Sequence, residues 1–369
     1  MGIYIIIFIV ILGTSLLSIF VKINKYYSVL IFILLLLFGA LRYKIGMDYE
    51  SYEDIFNLFT GKALSLKGVS DLYLEPGYAI ILSYLKYIGF GNIGIFAIHM
   101  ALSLYFFHKA ILRYSYNTFI SWNIFYGVYY ANLLFNGMRQ GLFIAIILYV
   151  FPRLLKKTWL SFFKVLLLSF LLAFFLHKTA LALPIIYLVC LFKPTIKYKY
   201  AILFGSLVWA FTGLGNVLVQ VGGLSFFKDT AYLGVVDFYS QNESFGSEIK
   251  LLSISVLHRL VILFLALYFS EFKTAPPVFK KLTNIYFWGA VIYFVLTPLG
   301  YMLATRVSMN VKAFDLLLIP YFVIFLKEYK FKFLGLMLIS AWSFAVMLTN
   351  FYIPGNYPYY IPYRTILSR

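Results

Sequence analysis

The chain has 369 residues, 63% of them hydrophobic and only 12% charged, with a mean hydropathy of +0.90. A soluble fold of this size carries about twice that share of charge on its surface. A cytosolic globular enzyme, a disordered chain and a nucleic-acid-binding module are therefore excluded, and a polytopic membrane protein is left. The net charge of +18 comes from 31 Lys and Arg against 13 Asp and Glu, an excess of the kind that cytoplasmic loops of membrane proteins collect.

A spanning helix needs about 20 mostly apolar residues. In chain order, stretches that fit lie near 3–21, 28–42, 93–112, 118–135, 138–155, 159–176, 178–193, 200–221, 251–270, 283–300, 304–326 and 333–352, twelve in all. The first lacks a basic lead and a small-residue cleavage site, so it reads as a retained helix and not as a cleaved signal. The stretch 76–90 is apolar but short and carries Lys86; it reads as an interfacial or re-entrant helix. His177 and Lys178 must form a tight turn between two spans. The expected fold is an all-α integral membrane protein of about 12 transmembrane helices, one polytopic domain over 1–369, and a GT-C-like arrangement fits it. Cys190 is the one cysteine, which excludes an intrachain disulfide and disfavours a thiolate metal site.

Charge orients the chain. One set of connections holds 17 Lys and Arg, among them Lys22, Lys109, Arg153, Lys197, Lys281 and Lys330, against Glu271 and Glu328, a net +15. The opposite set nets +3, from 14 basic and 11 acidic residues. The positive-inside rule makes the first set cytoplasmic and puts both termini outside. Two larger extracytoplasmic loops follow, at about 42–92 and 222–250. The first holds Asp48, Glu50, Glu53, Asp54, Asp71 and Glu75, and the second Asp229, Asp237, Glu243 and Glu248. Polar residues gathered on one side place the chemistry there.

Ionisable groups at membrane depth are expensive and functional by default. Arg42 stands at the outer end of the second helix, Arg139 at the outer start of another, Arg259 inside an apolar span and Arg306 at an outer helix end. All are arginines, whereas the cytoplasmic side is mostly lysine. A guanidinium is a planar fork that matches phosphate oxygens, and lysine is a point charge sufficient for topology. The four arginines suggest a site for a phosphate or diphosphate; snorkelling and helix-end anchoring is the competing account. Asp48 or Glu75 can serve as general base toward a hydroxyl, and spacing does not choose between them. His177 can donate to a phosphate, act as acid or base, or be structural. His258 neighbours Arg259 but projects about 100° away on a helix. Tyr49, Tyr52, Tyr73 and Tyr78, with Tyr357, Tyr359, Tyr360 and Tyr363 of the tail, can stack on sugars or belong to the interfacial aromatic belt. HExxH, P-loop, GxSxG and CxxC patterns do not occur.

The order R-Y-x-x-G-x-D-Y-x-x-Y (Arg42 to Tyr52), E-P-G-Y (Glu75 to Tyr78), M-R-Q (Met138 to Gln140), H-K-T-A (His177 to Ala180), Arg306 on a late helix and a terminal P-Y resembles the EpsG family, the Wzy-type polymerases of O-antigen and exopolysaccharide. One departure is MNVKAF after Arg306, where the family pattern often has a Tyr-Phe pair. The resemblance implies a glycosyltransferase at the outer face of the bacterial cytoplasmic (inner) membrane. The growing glycan would leave undecaprenyl diphosphate and join the non-reducing end of a new lipid-linked unit. It implies no cofactor and no obligatory metal, and no nucleic-acid partner. The partners implied are the undecaprenyl-diphosphate-linked oligosaccharide, membrane lipids and a chain-length-determining copolymerase. On this reading Asp48, Glu75, Arg139 and His177 are the catalytic candidates. Arg42, Tyr49, Tyr52, Gln140, His258, Arg259, Arg306 and Tyr359 are the substrate-binding ones. A ligase or other lipid-linked-sugar transferase would use the same groups. A flippase is the third reading; such folds show repeats and broken helices near the midplane, and no repeat is visible in this sequence.

Overall fold

The computed structural model describes residues 1–59, 74–212, 214, 251, 253–352 and 355–368. Its regular structure is helical, and no strand occurs among the described residues; an isolated bridge joins Arg42 and Thr365. In order run α1 (Gly2–Phe20), α2 (Ser28–Ala40), α3 (Tyr49–Asn57), α4 (Pro76–Tyr87), α5 (Asn92–Tyr114) and α6 (Thr118–Ile124), which continues as a π-helix (Phe125–Asn136). Then come α7 (Met138–Leu154), α8 (Trp159–Phe175), α9 (Leu183–Leu191), α10 (Ile196–Phe211), α11 (Ile254–Ser270) and α12 (Pro277–Leu296). The last are α13 (Tyr301–Lys312), α14 (Asp315–Leu318), α15 (Tyr329–Tyr352) and α16 (Tyr357–Tyr360).

Every apolar stretch singled out in the sequence contains helix. Among the described residues, five segments are long and apolar enough to cross a membrane: Gly2–Phe20, Asn92–Tyr114, Pro277–Leu299, Leu303–Phe325 and Tyr329–Tyr352. Lys25–Ala40, Trp159–Phe175, Lys178–Leu191 and Ile254–Ser270 are shorter apolar helices. The helices expose apolar side chains as well as burying them. On α1, Tyr4, Ile7, Phe8, Ile11 and Ser15 form the buried stripe, while Ile6, Ile9 and Leu17 face out. On α8, Trp159, Leu160, Phe163, Leu167 and Phe170 are exposed. Water does not tolerate such faces, and lipid does; this is a membrane protein.

Local chemistry sets the helix starts. The Asn117 side chain accepts from the Phe119 and Ile120 amides and caps α6. Pro76 opens α4, where its missing N–H is harmless. At 12 residues, α4 spans about 18 Å against a hydrocarbon core of about 30 Å, in keeping with the short helix expected at 76–90. α5 buries Ile95, Phe96, His99, Met100, Ser103, Leu104 and Phe107, a stripe at helical period. The described chain divides into two compact units: unit 1 comprises Met1–Leu154, Leu166–Leu181 and Ile319–Arg369, and unit 2 comprises Leu155–Val165 and Ala182–Leu318.

The stretch expected as one helix over 304–326 is interrupted. α13 ends at Lys312, and α14 begins at Asp315. The amides across the break bond three residues back, Phe314 to Val311 and Leu317 to Phe314, which keeps the backbone satisfied inside the protein. Arg306 accordingly lies in the middle of α13 and not at a helix end.

Candidate functional site

Unit 1 gathers its polar residues at one end. Past α2 the chain turns through Lys44 (φ 52°) and Gly46 (φ 107°). A Cβ at Gly46 would sit 2.6 Å from the Phe135 carbonyl oxygen, so the turn needs glycine. The C-terminal tail lies along this turn. Tyr43 N donates to Arg364 O (3.0 Å), Gly46 N to Tyr359 O (2.9 Å) and Ile366 N to Leu41 O (3.0 Å). The Asn136 side chain ties both to the end of the π-helix, accepting from Met47 N (2.9 Å) and donating to the Tyr360 hydroxyl (2.5 Å). Burial pushes the Tyr360 hydroxyl up to about 12.

Arg42 sits under this strap, 1% exposed. Its guanidinium lies 4.4 Å from the Phe135 ring centre, 5.3 Å from Phe96 and 5.9 Å from Tyr49. Nη2 contacts Met138 Sδ at 3.2 Å, while Nε and Nη1 have no hydrogen-bond partner. Burial pushes it down to about 10, and it stays a cation at neutral pH. Snorkelling is therefore ruled out for Arg42: the charge is enclosed by aromatic faces, where cation–π attraction reaches about 2 kcal/mol or more.

Arg139 occupies the first turn of α7 and Glu75 the N-cap position of α4. Gly77 lets α4 approach α8 closely, since a Cβ there would come within 2.6 Å of the Phe174 and Phe175 rings. In this setting Arg139 Nη1 and Glu75 Oε2 form an ion pair, with the Glu75 side chain 6% exposed. Arg139 Nε is 3.5 Å from the Tyr52 hydroxyl, and the guanidinium is 5.4 Å from the Tyr78 ring centre. Tyr78 in turn hydrogen-bonds His99 Nε2 at 2.9 Å. Burial raises the Tyr52 hydroxyl, and the Arg139 cation opposes that rise. The start of α7 favours negative charge through its unpaired amides, so an anion there meets both the helix and Arg139. Arg42, Arg139 and Glu75 together carry one net positive charge.

The other residues expected in unit 1 fare differently. Asp48 is half-buried at the start of α3, within electrostatic reach of Tyr52 and Tyr360. Tyr49 is buried and stacks on Phe96, ring centres 4.2 Å apart, so the face offered to a sugar in the sequence reading is taken by Phe96. Tyr52 is also buried, and its hydroxyl rather than its ring serves the site through Arg139. Tyr359 is exposed. Gln140 is half-buried beside Arg139. His177 Nδ1 accepts from the Thr179 amide (3.3 Å) and lies 2.8 Å from the Thr179 hydroxyl, so the ring caps the turn Lys178–Ala182. It also stacks on Phe143, one turn along α7 from Arg139. Glu50 pairs with Lys44 at 3.6 Å, and Glu53 accepts from Asn92 at 2.7 Å. A groove of about 400 Å³ lies beside α3, lined by Tyr49, Glu53 and residues 91–94.

Unit 2 holds the remaining expected residues. Arg259 is 3% exposed, 4.0 Å from the Tyr293 ring centre, with its Nε unpartnered. His258 Nε2 lies 3.9 Å from Asp315 Oδ2, so His258 and Arg259, though they diverge on α11, serve one neighbourhood. Arg306 is half-buried. Sequence reasoning missed Lys312 and Asp315, which flank the helix break, and His99 behind Tyr78. The signal for the first two was present: a lysine and an acid inside an apolar stretch, a test applied to the arginines alone. Lys312 lies within electrostatic reach of Asp315 and Arg259. Asp71, Tyr73 and the whole acidic loop 222–250 lie outside the described residues.

A family model described as the EpsG family matches residues 25–365. Neither a curated protein nor a solved structure matches the chain significantly.

Proposed function

Because the chain belongs to the EpsG family, whose membership implies a glycosyltransferase-like polysaccharide polymerase, we propose that it joins lipid-linked oligosaccharide repeat units at the extracytoplasmic face of the bacterial cytoplasmic membrane. The donor is the growing glycan on undecaprenyl diphosphate, and the acceptor is the non-reducing end of a new lipid-linked unit. The observation that carries this reading is the Glu75–Arg139 pair at the joined starts of α4 and α7. In the empty site the two charges neutralise each other. An arriving diphosphate competes for the guanidinium with bidentate oxygens and frees the carboxylate beside it. The acceptor hydroxyl oxygen then attacks the anomeric carbon and its proton passes to Glu75, with Asp48 the other base in reach of this end. The bond from that carbon to the diphosphate oxygen breaks, and the electron pair leaves with the diphosphate. Arg139, the amides at the start of α7 and the enclosed charge of Arg42 stabilise what leaves; preorganised donors of this sort are usually the largest catalytic contribution. Glu53 and Asn92 offer polar contacts for sugar in the groove beside α3. A separate copolymerase would set chain length.

Deleting the gene is expected to leave single repeat units at the cell surface, and Arg139→Ala to do the same. Long chains from an Arg139→Ala protein of normal abundance would overturn the reading. A ligase mutant, by contrast, would still make polymer on the carrier. The broken helix at Lys312–Asp315 is the one observation that favours a transporter. Purified protein given lipid-linked units in detergent decides: a polymerase lengthens the glycan there, and a transporter does not.

A further inference from the structure

The groove of about 400 Å³ between α3 and the start of α5 is open, and among the described residues that line it Glu53 is the one acid and no cation occurs. α3 serves two places at once. Tyr49 and Glu53, four residues apart on one face, line the groove. Tyr52, between them, turns its hydroxyl to Arg139 at 3.5 Å. Tyr49, Tyr52, Phe56, Phe96 and Met138 belong to one buried apolar cluster, so packing holds the groove in place beside the Glu75–Arg139 pair.

The chemistry of the groove differs from that of its neighbour. Asn92 donates to Glu53 Oε1 at 2.7 Å. That bond fixes the direction of the carboxylate, whose oxygens have room for several donors. The Tyr49 ring is stacked on Phe96, ring centres 4.2 Å apart, so the groove offers no free Tyr49 face and recognition falls to polar groups. Glu53 also lies against the first turn of α5, where its charge offsets the attraction of a helix start for an anion. A ligand here meets a negative charge and the acceptor oxygens of Glu53 and Asn92. Such a surface favours hydroxyl and ammonium donors and repels carboxylate and phosphate.

We propose that this groove sets the charge class of the sugar the protein accepts. An uncharged or amino sugar enters, and a uronic-acid or phosphorylated sugar is turned away. Glu53 enforces the choice, and Asn92 positions Glu53. The proposal rests on the polymerase reading only for the ligand being a sugar of the lipid-linked unit. It divides one site into two tasks: Arg139 takes the diphosphate, and an adjoining surface of opposite sign takes the saccharide.

The test uses the full-length protein in nanodiscs at neutral pH, with saturation-transfer NMR titration as readout. The probes are disaccharides of N-acetylglucosamine, of glucosamine and of glucuronic acid. The first two are expected to bind, and the glucuronic-acid probe about tenfold more weakly than the N-acetylglucosamine one. Glu53→Gln keeps the size of the side chain and removes its charge; it is expected to close that gap to within about threefold. Asn92→Ala releases the carboxylate without removing it, and should weaken the N-acetylglucosamine probe a few-fold while the glucuronic-acid probe stays excluded. A Cβ on Gly91 meets nothing within 4 Å, and the backbone there is extended (φ −89°, ψ 176°). Gly91→Leu is therefore free of strain and is expected to crowd the groove and weaken every probe. A charge preference unchanged in Glu53→Gln overturns the proposal, as does a wild-type protein that binds the glucuronic-acid probe as tightly as the neutral one or binds no probe. Should Glu53→Gln fail to fold, Gly91→Leu decides: undiminished binding of all probes puts the sugar elsewhere and overturns it. Purified protein that keeps the Glu53-dependent preference but never lengthens lipid-linked units would sink the polymerase reading and leave this groove standing.

Discussion

In unit 1 the arginines stand where helices begin or end: Arg42 just past α2, Arg139 in the first turn of α7. In unit 2, Arg259 lies within α11, and Lys312 and Asp315 lie within what would be one long span. Arg139 stands at a helix start, where the amide ends and the dipole favour an anion without disturbing any helix. In the interior arrangement Lys312 and Asp315 sit beside an interruption of the helix. Charge at a helix end leaves the scaffold regular; Lys312 and Asp315 flank a break, whereas Arg259 lies inside an uninterrupted α11.

Six substitutions would break or sharpen this contrast. The largest effect is expected for Arg139→Ala, which strands a buried carboxylate: a loss of about 3–5 kcal/mol in unfolding free energy, along with all polymer. Adding Glu75→Ala should recover most of that stability in a chemical-denaturation assay and none of the polymer on a glycan gel. If stability stays lost, the pair is a structural clasp and the contrast fails. Gly46→Ala forces a side chain into a positive-φ turn against Phe135 and is expected to destabilise by about 1–3 kcal/mol, read as a lower thermal midpoint. The matched variants Phe135→Leu and Tyr293→Leu each remove the nearest ring from an enclosed guanidinium, Arg42 or Arg259, and should each lower stability by about 2 kcal/mol. A response from only one would show that the two enclosures are not equivalent. Tyr78→Phe deletes the hydrogen bond to His99 and should produce the smallest change, about 1 kcal/mol.

Much of this architecture could be read from composition and period. The start of α7 at Met138, the short helix after Glu75 and the tight turn at His177 follow from Pro76, apolar length and polar punctuation. The pairing of Glu75 with Arg139 could not be read, because it joins residues on different helices and depends on how closely Gly77 lets α4 approach α8. Nor could the enclosure of Arg42: sequence shows an arginine at a helix end, and only packing shows Phe135 and Phe96 around it. The break after Lys312 carries neither proline nor glycine, so the punctuation that marks other helix ends is missing there. The same holds for the π-helix Phe125–Asn136, whose widened turns leave no mark in an almost wholly apolar run.

The C-terminal strap makes the far end of the chain an accessory to Arg42. Truncation before Tyr359 would cut all three main-chain hydrogen bonds from the tail to residues 41–46 without touching any of the long apolar helices. Such a shortened protein should still insert into the bilayer and accumulate while its arginine turn comes unfastened, so fusion tags and stop codons near the carboxyl terminus are expected to be silent in expression assays and damaging in functional ones.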